Sequence, residues 1–176
     1  MIRPPGPLSL MGCFLAALFE NVDGTSMDNQ CNTTLIWNRF CPPNVEVFVW
    51  NLLKGRTLVK EVMRRFGMDA SLNPNCTFCN SFTETIDHIF LHCQWSWNIW
   101  KSCMSWWDVR YCNNNSFKEW TKWWLGLCPA VSSKKVWCIL FSAIVWTIWD
   151  SRNQAIFTNK RISFESASDM IKFRVG

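Results

Sequence analysis

Three cysteines and one histidine fall close together in the chain, with the spacing Cys76-x2-Cys79-x8-His88-x4-Cys93. Zinc prefers four ligands in a tetrahedron, and thiolate and imidazole are the donors it favours. A C-x-x-C turn brings two sulfurs near one ion, and Asn, Pro and Ser at positions 73–75 and 80–81 are the turn formers such a loop needs. Because protein fills all four positions, the pattern predicts one structural zinc ion rather than a catalytic one.

Other interpretations of this cluster exist. His92 lies four residues after His88 and would share its face on a helix. Two adjacent residues rarely reach one ion, and Cys93 is a better donor than its neighbour His92, so His88 is the expected ligand. A thioredoxin-like redox pair needs a strand before the C-x-x-C and a helix starting at it, but turn formers flank this motif. A reduced C-x-x-C with two unrelated downstream residues is the remaining alternative.

The other seven cysteines are scattered and mostly have apolar neighbours, as small buried side chains do. They are Cys13, Cys31, Cys41, Cys103, Cys112, Cys128 and Cys138. An even total of 10 would also suit a secreted disulfide protein. The Cys-His cluster favours a reducing, intracellular compartment instead, in the nucleus or the cytoplasm.

Apolar spacing predicts a mainly α fold, a small helical domain with the zinc knuckle as its loop. One short helix is expected over Thr57–Phe66, with Leu58, Val62 and Phe66 on one stripe and Gly67 at its end. A second has an indole-rich stripe, and a third begins with the capping box Ser116/Glu119. The stripe residues of these two helices are Trp97, Trp100, Met104 and Trp107, then Phe117, Trp120 and Trp124.

The last long helix is expected from about Ser133 to Phe157, in the centre of the core, with a weakly helical, partly frayed C-terminal end behind it. Its uncharged stretch Val136–Trp149 is shorter than the roughly 20 residues that span a bilayer. The apolar run Leu8–Phe19 has the length of a signal-peptide core, but no small-x-small cleavage site follows it. A membrane protein is therefore not expected.

A net charge of +5 is compatible with a polyanionic partner without requiring one. Arg56, Lys60 and Arg64 share a helical spacing and, with the adjacent Arg65, are candidates for phosphate contact. A solvated helix face is the other interpretation of the same stripe. The 13 tryptophans indicate aromatic packing in the core, although exposed indoles such as Trp95 or Trp97 would stack on bases.

The run from Cys76 to Trp100 resembles the zinc-binding domain that follows the reverse transcriptase of plant LINE-type (non-LTR) retrotransposons. Matching positions in the run are Glu84, His88, Ile89, Phe90, Cys93 and Trp100. The lead-in matches at Trp37, Pro43, Val45, Phe48, Trp50 and Gly55 to Leu58, and the segment Ile144 to Phe157 matches at Trp149, Arg152, Asn153 and Phe157. Asn44 and Glu46 depart from the family, which commonly has lysine at these two positions.

This resemblance implies four segments: a poorly defined N-terminal segment 1–35, the zinc-binding domain 36–110, a helical extension 111–158 and a C-terminal tail 159–176. It implies a non-catalytic module that contacts RNA or DNA, beside a reverse transcriptase polypeptide and with no small-molecule substrate. No Asp-Asp pair is present to hold catalytic metal ions, so an enzyme is not expected. A structural or protein-interaction domain, a retroelement relic without nucleic-acid binding, is the alternative function.

Overall fold

Helices form nearly all the regular structure in the computed structural model, which describes residues 40–68, 73–110, 115–127 and 134–176. Across these ranges the segments are α1 (Pro43–Leu53), α2 (Lys60–Arg65), a π-helical turn (His88–His92), α3 (Gln94–Ser105), α4 (Phe117–Gly126), α5 (Lys134–Phe157) and α6 (Phe164–Val175). One isolated antiparallel bridge joins Asn75 and Thr83. The predicted mainly α class is confirmed.

Helix α5 is the centre of the core, as its continuous apolar sequence predicts. It packs against α1, α3, α6 and the π-helical turn. The stretch before Asp150 buries side chains around most of its circumference, from Trp137 to Trp149. No helix in the described ranges has both the length and the apolar content needed to cross a membrane.

Buried indoles connect α3, α4 and α5. Trp100 of α3 lies edge-on to Trp124 of α4, with ring centroids 5.1 Å apart. Trp124 in turn stacks on Trp137 of α5 at 4.2 Å, and the Trp137 Nε1–H donates to the Trp124 carbonyl. Aromatic pairs of this kind add roughly 0.5–1.5 kcal/mol each beyond their buried area. These tryptophans therefore pack in the core, as their number in the sequence indicates.

The N-terminus of α4 is capped as the sequence predicts. The Ser116 Oγ accepts a hydrogen bond from the Glu119 backbone N–H. The first backbone N–H of the helix, from Phe117, donates to Asp87 Oδ1 at 2.7 Å. Asp87 directly precedes the π-helical turn, so this second cap attaches α4 to the segment that carries His88.

Two segments differ from the helices expected for them. The segment expected as a frayed tail forms α6, which packs on α5 and α3 and fully buries Ala167 and Ile171. The helix expected over Thr57–Phe66 is only α2, because residues 56–59 run outside the helix and the Lys60 N–H donates to Glu84 instead. Val59 is consequently buried in place of Leu58, and Phe66 is 63% exposed.

Gly67 ends α2 as expected. Its φ of +66° is a left-handed conformation that glycine adopts without a side-chain clash. The N–H groups of Gly67 and Met68 donate to the carbonyls of Arg64 and Met63, which is the Schellman pattern.

Several expectations fall on residues outside the described ranges. They concern the segment 1–35 with its run Leu8–Phe19, the lead-in residue Trp37 and the first residue of the last helix, Ser133. Four of the scattered cysteines are also outside: Cys13, Cys31, Cys112 and Cys128. The other three, Cys41, Cys103 and Cys138, are not joined in disulfide bonds, and the last two of them are buried.

Candidate metal centre

The structure brings Cys76, Cys79, His88 and Cys93 together, with one ligand atom from each lying within 4.8 Å of all the others. The sulfurs of Cys76 and Cys93 are 3.8 Å apart, and the Cys79 sulfur is 3.3 Å from His88 Nε2. Three of the four residues are buried, and Cys79 is half-buried. The cluster therefore lies just below the surface.

The first two ligands lie in a tight hairpin-like loop. The Cys76 N–H donates to the Phe82 carbonyl at 2.7 Å, beside the bridge between Asn75 and Thr83. The chain reverses through Asn80, whose φ of +55° is tolerated better by asparagine than by most residues. The turn formers around the C-x-x-C therefore act as the sequence indicates.

The second two ligands bracket the π-helical turn. The Cys93 N–H donates to the His88 carbonyl at 2.7 Å, a hydrogen bond across five residues. Five residues on a regular α-helix would separate two side chains by about 140° around the axis. The wider turn reduces this angle, which lets the imidazole and the thiol face the same point.

Helix α3 stabilises the widened turn through two side-chain hydrogen bonds. Ser96 Oγ donates to the Ile89 carbonyl, and Trp100 Nε1 donates to the Phe90 carbonyl at 2.7 Å. These two buried donors satisfy backbone oxygens that a regular α-helical ladder would otherwise pair. The turn that carries His88 is thus fixed by side chains that follow it in the sequence.

The distances in this cluster fit a zinc ion. Zn–S bonds of about 2.3 Å in a tetrahedron place two sulfurs about 3.8 Å apart, and a sulfur and a nitrogen about 3.5 Å apart. The measured separations of 3.8 Å and 3.3 Å lie near these values. A disulfide is not formed, since its sulfurs would be only about 2.05 Å apart.

The electrostatics of the cluster also suit a cation. The neighbouring Cys93 thiol, with help from His88 and against the effect of burial, lowers the pKa of Cys76 to about 4. The same contact, together with burial, raises the pKa of Cys93. Contact with Cys76 raises the pKa of His88, although burial opposes it. A thiolate is therefore present at neutral pH, as a metal ligand must be.

His92 lies outside the ligand cluster, and Trp95 packs against other residues of the protein. The side chain of His92 is exposed, and His92 is not part of the ligand cluster. Trp95 stacks on Phe78 of the C-x-x-C at 4.0 Å, and its Nε1 donates to the Ile162 carbonyl before α6. Trp95 is accordingly used in internal packing, and so is Trp97, which lies edge-on to Trp120 at 5.6 Å.

The four basic candidates for phosphate contact do not form one exposed face. The Lys60 Nζ donates to the Asn75 carbonyl at 2.7 Å, and its side chain is largely buried. Arg56 is half-buried, whereas Arg64 and Arg65 are exposed. Arg65 forms a surface ion pair with Glu61 at 2.9 Å. Only the C-terminal end of α2 thus presents two of these side chains to solvent.

Glu84 and Arg152 form a buried contact that spacing alone does not reveal. Arg152 Nη2 and Nε donate to Glu84 Oε1 at 2.8 and 3.1 Å. Burial by itself would raise the pKa of Glu84, but the Arg152 charge and hydrogen bonds from Thr77 and Arg152 outweigh it and lower that pKa. Nothing in the sequence pairs these two residues.

Comparison with known protein families finds a match to part of the chain. Residues 16–100 match the family model described as zinc-binding in reverse transcriptase. The match covers a little under half of the 176 residues and contains all four cluster residues. No curated protein and no solved structure matches the chain. The match and the cluster together support a zinc ion and a zinc-binding domain of the kind found in reverse transcriptases.

Proposed function

We propose that this chain carries the zinc-binding domain of a plant LINE-type retrotransposon reverse transcriptase, as a non-catalytic module that holds one structural zinc ion and contributes to RNA or DNA binding. One observation carries the proposal: three sulfurs and an imidazole nitrogen converge within 4.8 Å inside the segment that matches this family. The resemblance of the run from Cys76 to Trp100 supports the finer assignment to the plant LINE group.

Zinc held by these four residues would stabilise the fold. Bound to four protein ligands, the ion supplies cross-linking and no open coordination position for a substrate. The loop with Cys76 and Cys79 has one short bridge and little apolar content, so the ligands on the π-helical turn attach it to the core. Binding free energy then becomes folding free energy for the loop.

Elemental analysis of purified protein tests the zinc site. We expect one zinc per chain in the wild type and a loss of that zinc, with a lower melting temperature, in Cys79→Ser. Cys103→Ala is the matched control, because Cys103 is buried in α3 outside the cluster and burial raises its pKa to about 12. Zinc-free wild type, or zinc retained by Cys79→Ser, would contradict the proposal.

The C-terminal end of α2 is the surface we propose for nucleic-acid contact. Exposed Arg64 and Arg65 are followed by Phe66, which is 63% exposed. Guanidinium groups neutralise phosphates, and an exposed ring offers a platform on which a base can stack. Single-stranded nucleic acid fits this combination better than a duplex, because its bases are free to stack.

Fluorescence anisotropy with single-stranded RNA and DNA oligonucleotides tests this surface. We expect Arg64→Gln with Arg65→Gln to weaken binding and to reduce the slope of log K against log salt by about 1.4, since each phosphate contact contributes about 0.7. Lys101→Gln with Lys134→Gln removes the same charge from exposed positions on α3 and α5 and should keep the slope. Binding that is insensitive to salt would contradict the assignment.

A protein-interaction role is the second candidate, and exposed aromatic side chains favour it. Phe173 of α6 is 89% exposed and Phe157 at the end of α5 is 67% exposed. Exposed apolar side chains mark protein-interaction sites where they form a contiguous patch. A pull-down with the polymerase polypeptide of a LINE element should lose retention in Phe173→Ser if this role is correct, and retain it in the double arginine variant.

A further inference from the structure

Glu84 and Arg152 are charged side chains from distant parts of the sequence that meet in the interior. They are 68 residues apart, and their side chains are 0% and 4% exposed. Glu84 lies in the segment that matches the reverse transcriptase family, whereas Arg152 lies in α5, beyond the end of that match at residue 100. The contact therefore connects the family segment to a helix outside it.

Burial of this pair carries a desolvation cost that only good geometry offsets. Arg152 meets the condition with two hydrogen bonds to one carboxylate oxygen. Its guanidinium also lies over the Trp149 ring at 4.8 Å, and Nη1 donates to Asn153 Oδ1. Neighbours on α5 thus hold the guanidinium in place.

The Glu84 carboxylate also binds the loop that carries Cys76 and Cys79, called the metal loop below. Its Oε2 accepts hydrogen bonds from both the backbone N–H and the hydroxyl of Thr77, at 3.0 and 2.6 Å. Thr77 is one of the two residues between Cys76 and Cys79 in the C-x-x-C turn. The carboxylate consequently fixes the backbone between two of the expected ligands.

Helix α2 is attached to the same carboxylate. The Lys60 N–H donates to Glu84 Oε1 at 3.2 Å, and the Lys60 ammonium donates to the Asn75 carbonyl next to Cys76. Contacts from α2 and α5 therefore converge through Glu84 on one side of the loop. The remaining ligands, on the π-helical turn, are held separately by α3.

We propose that Glu84 and Arg152 are positioning residues for the zinc site, so that the zinc affinity of the knuckle depends on helix α5, outside the matched segment. The inference rests on the proposed zinc-binding function. The pair pre-organises the C-x-x-C turn, which lowers the conformational cost of binding the ion. Residues that orient metal ligands from behind typically change affinity about 10- to 100-fold when they are lost.

Competition between the protein and a chromophoric chelator measures the zinc dissociation constant in a variant series. We expect Arg152→Met to weaken zinc binding at least tenfold, Arg152→Lys to weaken it less, and Glu84→Gln to resemble Arg152→Met. In the double variant Glu84→Gln with Arg152→Met the losses should not add, because the two side chains act through one contact. Lys172→Met, which breaks the exposed ion pair with Asp169, is the matched control and should bind zinc as the wild type does.

Ile171→Ala separates positioning from general stability, since it removes a fully buried side chain from α6, a helix that contains neither Glu84 nor Arg152. If Ile171→Ala weakens zinc binding as much as Arg152→Met, the pair acts only through stability and the inference is overturned. It is also overturned if Arg152→Met and Glu84→Gln bind zinc as tightly as the wild type. If Arg152→Met does not fold by circular dichroism, Arg152→Lys and Glu84→Gln decide. A wild type that binds no zinc would refute the proposed function instead.

Discussion

Two histidines four residues apart have different environments in this chain. His88 starts the π-helical turn with its Nε2 3.3 Å from the Cys79 sulfur, and its side chain is buried. His92 ends the same turn and is exposed. On a regular α-helix the two would share a face, so the widened turn decides which of them reaches the cluster.

Substitution of the two histidines should therefore give opposite results. We expect His88→Asn to lose most bound zinc, because the asparagine side chain is a poorer and shorter donor than imidazole. His92→Asn should keep one zinc per chain and the wild-type melting temperature. Zinc stoichiometry and thermal unfolding measured on both variants check this, and zinc loss in His92→Asn alone would reassign the ligand.

At the residue scale, local spacing in the sequence predicts which nearby residues meet, but it does not predict contacts between distant residues. The sequence predicts that Cys76, Cys79, His88 and Cys93 converge, because a C-x-x-C turn constrains its own sulfurs. It does not predict the Glu84–Arg152 pair, which depends on where α5 packs 68 residues later. For the same reason it does not predict that the Lys60 ammonium donates to the Asn75 carbonyl within the protein.

At the element scale, helices with a pronounced apolar pattern are well predicted, whereas α2 and α6 are not. Helix α5 was expected from about Ser133 and begins at Lys134, and α4 begins behind its predicted Ser116 cap. Helix α2 is shorter than its apolar stripe suggests because Glu84 caps Lys60. Helix α6 has only a weak apolar pattern, so tertiary packing against α5 and α3 decides its structure.

Two isoleucines test whether α6 is part of the core. Ile171→Ala should lower the free energy of unfolding by about 2–5 kcal/mol, since it leaves a cavity at a fully buried position. Ile156→Ala removes the same atoms from a 36% exposed position on α5 and should cost about 1 kcal/mol or less. Chemical denaturation of the two variants measures the difference, and equal small losses would mean that α6 frays after all.

At the scale of the whole molecule, the metal loop and the helices of the described residues form one packed unit. Three contacts connect the zinc segment to elements beyond residue 100. They are Glu84 with Arg152 of α5, Asp87 with the first N–H of α4, and Trp95 with the Ile162 carbonyl before α6. Hydrogen bonds therefore join the segment that carries the ligands to α4, to α5 and to the residues before α6.

One packed unit should unfold in one step. We expect the loss of helical circular dichroism and the release of zinc to a chromophoric chelator to have the same midpoint temperature, because the contacts that hold the ligands also hold α4, α5 and α6. Stripping zinc with a chelator before heating should lower that midpoint. Zinc release well below the helical transition would instead show that the loop opens independently.

The stacked pair Trp124–Trp137 gives this chain an optical property of its own. Its two indoles lie almost parallel, with an interplanar angle of 12° and centroids 4.2 Å apart. Electronic transitions of two indoles at such a distance couple, so we expect the near-ultraviolet circular dichroism to change when α4 separates from α5. The core thus carries a built-in chromophore that reports the docking of α4 on α5 without any attached label.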